Sequence, residues 1–216
     1  MKQFIIIGCG NFGYSIAKTL YGLGHQVMIV DQNEEIINSI SDSVTYAIRG
    51  DATDEKTIKS LGVNNFDVAI ITTGSDIQSS ILIGIMLKEL GVKYIVAKAQ
   101  NELHAKVLYK IGVDKVVFPE RDMGARIAQH LVSPNIMDYI ELSAEYSIVE
   151  LAAIEEWIGK SLIDLNMRER YEINVMAIKQ GENINISPNP SYLIKEDDVL
   201  VVVGHNNNLK KLAVNI

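Results

Sequence analysis

From Lys2 to about Phe118 short apolar runs alternate with longer stretches in which apolar positions recur every three or four residues. FIIIG, QVMIVD, TYAIRG, DVAIITTG, YIVAKAQ and KVVFPE are rich in Val and Ile and end in polar or glycine residues, the pattern of strands buried on both faces of a parallel sheet. NFGYSIAKTLYGLG, NEEIINSIS, DEKTIKSLG, SDIQSSILIGIMLKELG and NELHAKVLYKIG carry helical periodicity between them, and several end in glycine, as helix C-termini do. Strands and helices in this alternation predict successive right-handed βαβ units, hence an α/β, Rossmann-like, doubly wound parallel sheet.

The pattern changes after PERDMGARIAQHLVSPN. Arg121 to Val132 predicts one more helix with an apolar face of Ala125, Ile127, Ala128 and Leu131, serving a subunit contact, core packing or both. SPN, with Pro134, punctuates its end. This divides the chain into residues 1–132 and a second, smaller α+β domain at 133–216. The latter offers the strands DYIELS, YSIVELAA, INVMAIKQ, INISP and DVLVVVG, a helix from Leu162 to Tyr171 and another from Asn207 to Val214. Asn183 and its neighbours in KQGENINI predict a hairpin turn. About eighty residues are few for a catalytic domain but ample for a ligand-sensing or dimerising module.

Composition narrows the function. The chain has 216 residues, 48% hydrophobic and 22% charged, as befits one or two globular domains with a real core. A net charge of −7 and a pI near 5.1 argue against a nucleic-acid polymer as partner. The N-terminus lacks the features of a signal peptide, and no apolar run approaches the roughly 18 to 20 residues of a membrane span. Action at a membrane is therefore expected through a partner, without direct insertion. The single cysteine, Cys9, excludes an intramolecular disulfide framework, suits a reducing compartment and reads as a small buried filler.

The most specific local signal is GCGNFG, which follows a strand and opens a helix. Gly8 permits the tight turn, Gly10 lets backbone approach a pyrophosphate, and Gly13 allows helix and strand to pack closely. The helix N-terminus then faces the phosphates. Asp31, ending the second strand, stands where a carboxylate takes ribose hydroxyls, and its charge disfavours a 2′-phosphate, so a free ribose is favoured over NADP. Asp51 and Thr53 beyond the third strand, and Thr72, Thr73 and Gly74 beyond the fourth, face the same crevice. The alternative is a Rossmann-like domain that has lost its ligand; strand, loop, helix and acid in register favour nucleotide binding. No YxxxK pair and no CxxC or HExxH spacing is present, and His25, His104, His130 and His205 read as solvated helix or terminal residues. The domain is expected to bind a nucleotide without transforming it.

These segments, with LKELGVKYIVAKAQNELHAKVLYKIGVDKVVFPERDMGARIA, YSIVEL and INVMAIKQG, resemble the RCK (regulator of K⁺ conductance) subunits of Ktr-type potassium uptake systems, the KtrA/KtrC branch related to TrkA. The resemblance spans nearly the whole chain, in order. It implies a cytoplasmic, non-enzymatic gating subunit, peripheral to the membrane, with an RCK N-domain and an RCK_C (TrkA-C) domain. It also implies a homo-oligomer, a dimer of RCK domains in an octameric ring, beneath a membrane channel subunit. The implied ligands are ATP or ADP, with NAD(H) in some relatives, at Gly8, Gly10, Asn11, Gly13, Asp31, Asp51, Thr73 and Lys98, and an interface cation at Glu120. Asn11 departs from the family, which commonly has arginine there. Asparagine cannot replace a charge-assisted contact with the γ-phosphate, worth about 1.5 to 3 kcal/mol. For the C-domain the resemblance implies cyclic di-AMP, with Arg168 on phosphate, Asn174 as polar partner, and Ile163, Ile173 and Pro188 or Pro190 as apolar walls. Read from its own neighbours, Arg168 is equally a solvated charge in the run RER.

Two other classes remain. A small NAD-dependent oxidoreductase needs an acid/base pair beside the nicotinamide, and a redox-sensing transcription regulator needs a DNA-reading element.

Overall fold

The computed structural model describes residues 1–73, 76–132 and 136–214, and the side chains of all of these except 129, 130, 132, 136–139, 213 and 214. Gly74, Pro134 and the side chain of His130 lie outside the described residues. The chain falls into two compact units, Met1–Arg121 and Asp122–Ile216.

The first unit is a six-stranded parallel sheet of β1 (Gln3–Ile7), β2 (Gln26–Asp31), β3 (Tyr46–Arg49), β4 (Val68–Ile71), β5 (Ile95–Lys98) and β6 (Lys115–Val117). Their spatial order, β3-β2-β1-β4-β5-β6, is that of a dinucleotide-binding fold, with the reversal between β1 and β4. Such a sheet buries both faces, which is why the strands read as unbroken apolar runs. Ile6, Val27, Ile29 and Ile70 pack with Ala17 of α1 (Asn11–Gly22) and Ile37 and Ile40 of α2 (Glu34–Ile40). Ile5, Ile7, Ala69, Ile71 and Ile95 pack with Ile58 of α3 (Glu55–Ser60), Ile83 and Leu87 of α4 (Ile77–Glu89) and Ala105 and Leu108 of α5 (Glu102–Lys110). The doubly wound architecture expected from the alternation is present.

The division between the units falls inside α6 (Pro119–Val132). Its side chains Ala125, Ile127, Ala128 and Leu131 are exposed, Leu131 by 79%, so this apolar face is not packed into a core of its own chain.

The second unit is an antiparallel sheet of β7 (Ile136–Glu141), β8 (Tyr146–Ala152), β9 (Ile173–Gln180), β10 (Asn183–Asn185) and β11 (Val199–His205), ordered β10-β9-β11-β8-β7. Here burial alternates: Val149 and Leu151 of β8 and Leu200 and Val202 of β11 turn inward with period two. They pack with Trp157, Leu165, Met167 and, on α9 (Asn206–Val214), Leu209 and Leu212.

Two expectations are corrected. The helix predicted from Leu162 to Tyr171 is two short ones, α7 (Leu162–Leu165) and α8 (Met167–Arg170), broken at Asn166, which takes φ 43°. Asparagine tolerates that left-handed geometry better than other non-glycine residues. The hairpin expected in KQGENINI is present between β9 and β10, but Asn183 itself is not in the turn: it pairs with Gln180 as the first residue of β10. Gly181, at φ 56°, and Glu182 make the reversal.

Candidate functional site

The glycine loop sits at the reversal of strand order. Gly8, at φ 99°, donates its N–H to Val30 O at 2.8 Å, and a Cβ there would lie 2.9 Å from both Thr72 Oγ1 and Thr73 Cγ2. A Cβ on Gly13 would run into the Gly8 carbonyl oxygen, so the close helix–strand approach is real. Gly10 is exposed, and a Cβ on it would meet nothing within 4 Å. It leaves the loop backbone open to a ligand.

The start of α1 is chemically unlike its neighbours. Side chains of Asn33, Asp54, Asp76 and Asn101 cap α2 to α5, whereas Gly10 offers α1 no side-chain cap and its first turn holds no acid. Tyr14 N is the first to bond back, to Gly10 O, which leaves the N–H groups before it without intrahelical acceptors. An anion suits that end.

Beside the loop lies a cleft of about 290 Å³ lined by Gly8, Asp31, Gln32, Asp51, Thr53, Thr73, Asp76 and Ser79 among others. Asp31 accepts the N–H of Cys9 on Oδ2 at 2.6 Å and that of Asn33 on Oδ1 at 2.8 Å. Each oxygen keeps acceptor capacity for a hydroxyl. Asp51 Oδ1 accepts the Thr53 hydroxyl at 2.6 Å and its N–H at 2.8 Å, and these bonds, the hydroxyl's first, hold the carboxyl below its ordinary range. The Ser79 hydroxyl and N–H do the same for Asp76. Thr73 Oγ1 is buried without a hydrogen-bond partner among the described residues. Among the described residues three carboxylates and no cationic side chain line this cleft. Its electrostatics suit the hydroxyls and amine of a nucleoside, with phosphates directed to the start of α1.

The remaining candidate residues are placed differently. Asn11 is exposed at the first position of α1. Lys98, ending β5, forms an ion pair with Glu120, whose carboxyl that bond holds low. Neither lines the cleft. Among the described residues no three His, Cys, Asp or Glu side chains cluster as a metal site. Cys9 is buried, and burial first, then the Asp31 charge, pushes its thiol up to about 11. The thiolate is thus disfavoured at neutral pH.

His104 corrects the reading of the histidines as solvated. It is 2% exposed, accepts the Gln100 N–H on Nδ1 at 3.3 Å and meets Ser80 Oγ through Nε2 at 2.8 Å. With Nδ1 accepting, the neutral ring donates from Nε2.

The second unit holds a separate cavity of about 690 Å³. Ile163, Arg168, Ile173, Asn174, Pro188 and Pro190, widely spaced in sequence, all line it. The Arg168 guanidinium donates to Asn174 Oδ1 at 3.1 Å. Ile163 is 64% and Ile186 79% exposed, so apolar surface stands open around a cation.

Sequence reasoning missed Asp76 and Ser79 in the cleft and Met176 and Ile186 in the second cavity. The first two were marked by SDIQS, a helix N-cap sequence following a strand. The last two carried no signal beyond alternation.

The chain matches the TrkA-N domain family over residues 4–119 and the TrkA-C domain family over residues 147–216. It is 47% identical to the Ktr system potassium uptake protein A of Bacillus subtilis over 210 residues, 97% of this chain and 95% of that protein. To protein C of the same organism it is 47% identical over 203 residues, covering 94% and 92%. Among solved structures, the GsuK channel superposes with a TM-score of 0.71 over 99% of this chain at 18% identity, a likeness of fold. The chain spans 39% of that longer one.

Proposed function

The chain belongs to the Ktr/TrkA family of regulatory subunits of potassium uptake systems, and on that premise we propose that it gates a membrane partner by reading two ligands at two separate sites. The observation that carries this reading is the pair of cavities, one in each compact unit and each lined by residues expected from the sequence. No helix among the described residues is long and apolar enough to cross a membrane. In the proposed reading the subunit acts from the cytoplasmic face, through its channel partner.

Residues 1–132 form the nucleotide-binding domain with its crossover helix, and residues 133–216 the sensing domain. An adenine nucleotide, ATP or ADP, lays its ribose at Asp31, its base near Asp51 and its phosphates on Gly8, Gly10, Asn11 and Gly13. NAD(H) fits the same loop and acid. A cation would compete with Lys98 for the Glu120 carboxylate. The exposed α6 face of Ile127 and Leu131 meets a second copy. Cyclic di-AMP, a two-fold dianion, occupies the Arg168 cavity at a two-fold axis, where the guanidinium is duplicated by symmetry. Either ligand moves the assembly only by binding its open and closed forms with different affinity.

Calorimetric titration with ATP, ADP, NADH and cyclic di-AMP tests this, with Asp31→Ala and Arg168→Ala as separate controls. The expected result is nucleotide binding lost only in the first variant and cyclic di-AMP binding lost only in the second. Binding of NADH alone would replace the adenylate reading by an NAD sensor or an oxidoreductase. Silence towards all four would leave the loop structural.

A further inference from the structure

A second cavity in the C-terminal unit, about 800 Å³, shares Arg168, Ile173 and Asn174 with the one described above and continues over Tyr146, His205 and Lys211. It draws nitrogen donors from three elements: Arg168 from α8, His205 from the end of β11 and Lys211 from α9. Lys211 is exposed and has no ion-pair partner among the described residues. The acid in the lining, Glu172, is engaged by Asn208, which donates to its Oε2 at 2.7 Å. His205 accepts the Asn207 N–H on Nδ1 at 3.2 Å, which leaves Nε2 as the donor side of the ring. Its ring stands edge-on to Tyr146 at 5.4 Å, giving the cavity an aromatic corner beside the cations.

We propose that this groove is an anion site for a small organic phosphate, distinct from the dinucleotide cavity. Arg168 and Lys211 supply the charge, His205 a ring N–H donor, and the Tyr146–His205 corner packs the organic part. An arginine fork and an ammonium converging from separate elements match the several oxygens of a phosphate better than one carboxylate. At about 800 Å³ the groove has room beyond a bare phosphate. Glu172, held by Asn208, disfavours any anion beside it, so the phosphate is directed to Arg168 and Lys211.

Arg168 stands in the walls of both cavities, so Lys211 and His205, which line only the groove, are the diagnostic positions. The full chain is titrated with pyrophosphate at constant ionic strength, and hydrogen–deuterium exchange is followed by mass spectrometry. This separates protection in peptides spanning Val203–Lys211 from protection of the glycine loop at Gly8–Gly13. Saturable protection of the former is expected, with its midpoint raised about tenfold or more by Lys211→Ala, restored by Lys211→Arg and raised less by His205→Gln. Cyclic di-AMP binding is expected to be unchanged by Lys211→Ala. Absence of protection at Val203–Lys211, protection indifferent to Lys211→Ala, or loss of cyclic di-AMP in that variant equal to the loss of pyrophosphate would each overturn the proposal, the last by making the groove an arm of the first cavity.

Discussion

The hydroxyl of Thr72 donates to the carbonyl oxygen of Gly8 at 2.7 Å and also reaches Ile7 O at 3.1 Å. The end of β4 is thereby tied to the loop after β1, across the point where strand order reverses. Thr72→Val keeps the shape and removes the donor, leaving the Gly8 carbonyl unsatisfied in a buried place at a cost of about 1 to 3 kcal/mol. We expect chemical denaturation to show a loss of that size and titration to show weaker nucleotide binding, both restored in Thr72→Ser. A Thr72→Val protein with wild-type stability would mean that the loop is held by packing alone.

On the proposed reading, position 11 at the start of α1 sets the balance between triphosphate and diphosphate. A guanidinium at this exposed start of α1 would meet a terminal phosphate without disturbing the core. Asn11→Arg is expected to raise the ratio of ATP to ADP affinity about tenfold or more, the worth of one charged hydrogen bond. An unchanged ratio in competition binding would show that position 11 does not reach the γ-phosphate.

The first unit was legible in the chain because its strands are buried on both faces. Ile5, Ile6 and Ile7 cannot alternate with polar residues when one core lies above the sheet and another below. The site was legible where backbone geometry dictates residue type: Gly13 is pressed against Gly8, and Asp31 sits at a strand end. Asn166 was illegible because Ile163 and Met167 stand four residues apart, a helical spacing that spans the break its positive φ makes. His104 was illegible because its place is set by Ser80, twenty-four residues away and on another helix. Arg168 and Lys211 were brought to one groove by tertiary packing, which no local pattern encodes.

Arg168 is held ready by Asn174 rather than by a carboxylate. Replacing it by lysine keeps the charge but loses the planar fork. Arg168→Lys is expected to weaken cyclic di-AMP about tenfold while ATP and ADP titrate as before. Trp157 offers an internal reporter: its ring lies 5.7 Å from that of Tyr171, three residues beyond Arg168. A change in its emission on adding the dinucleotide should therefore be lost in the variant. Retention of both affinity and signal would assign Arg168 to the solvated face of α8.

The buried pair of His104 and Ser80 makes stability depend on pH in a predictable direction. Burial lowers the His104 pKa below its ordinary 6.5, because the charged ring would lose solvation and the Gln100 N–H would point at a second donor. As pH falls through about 6.5 the unfolded chain takes up this proton before the folded one, so unfolding is favoured. The contribution is complete above the unfolded pKa and is lost as pH drops towards the lowered folded value. Below that value both states are protonated and the loss stops growing. Denaturation midpoints measured from pH 7.5 to 5 should fall more steeply for the wild type than for His104→Gln, with the difference confined below about pH 6.5. Ser80→Ala, which strips the ring of its buried acceptor, is expected to cost about 1 to 3 kcal/mol at pH 7.5, where the ring is neutral. Parallel pH profiles for wild type and His104→Gln would show that the ring titrates alike in both states and that its burial carries no proton linkage.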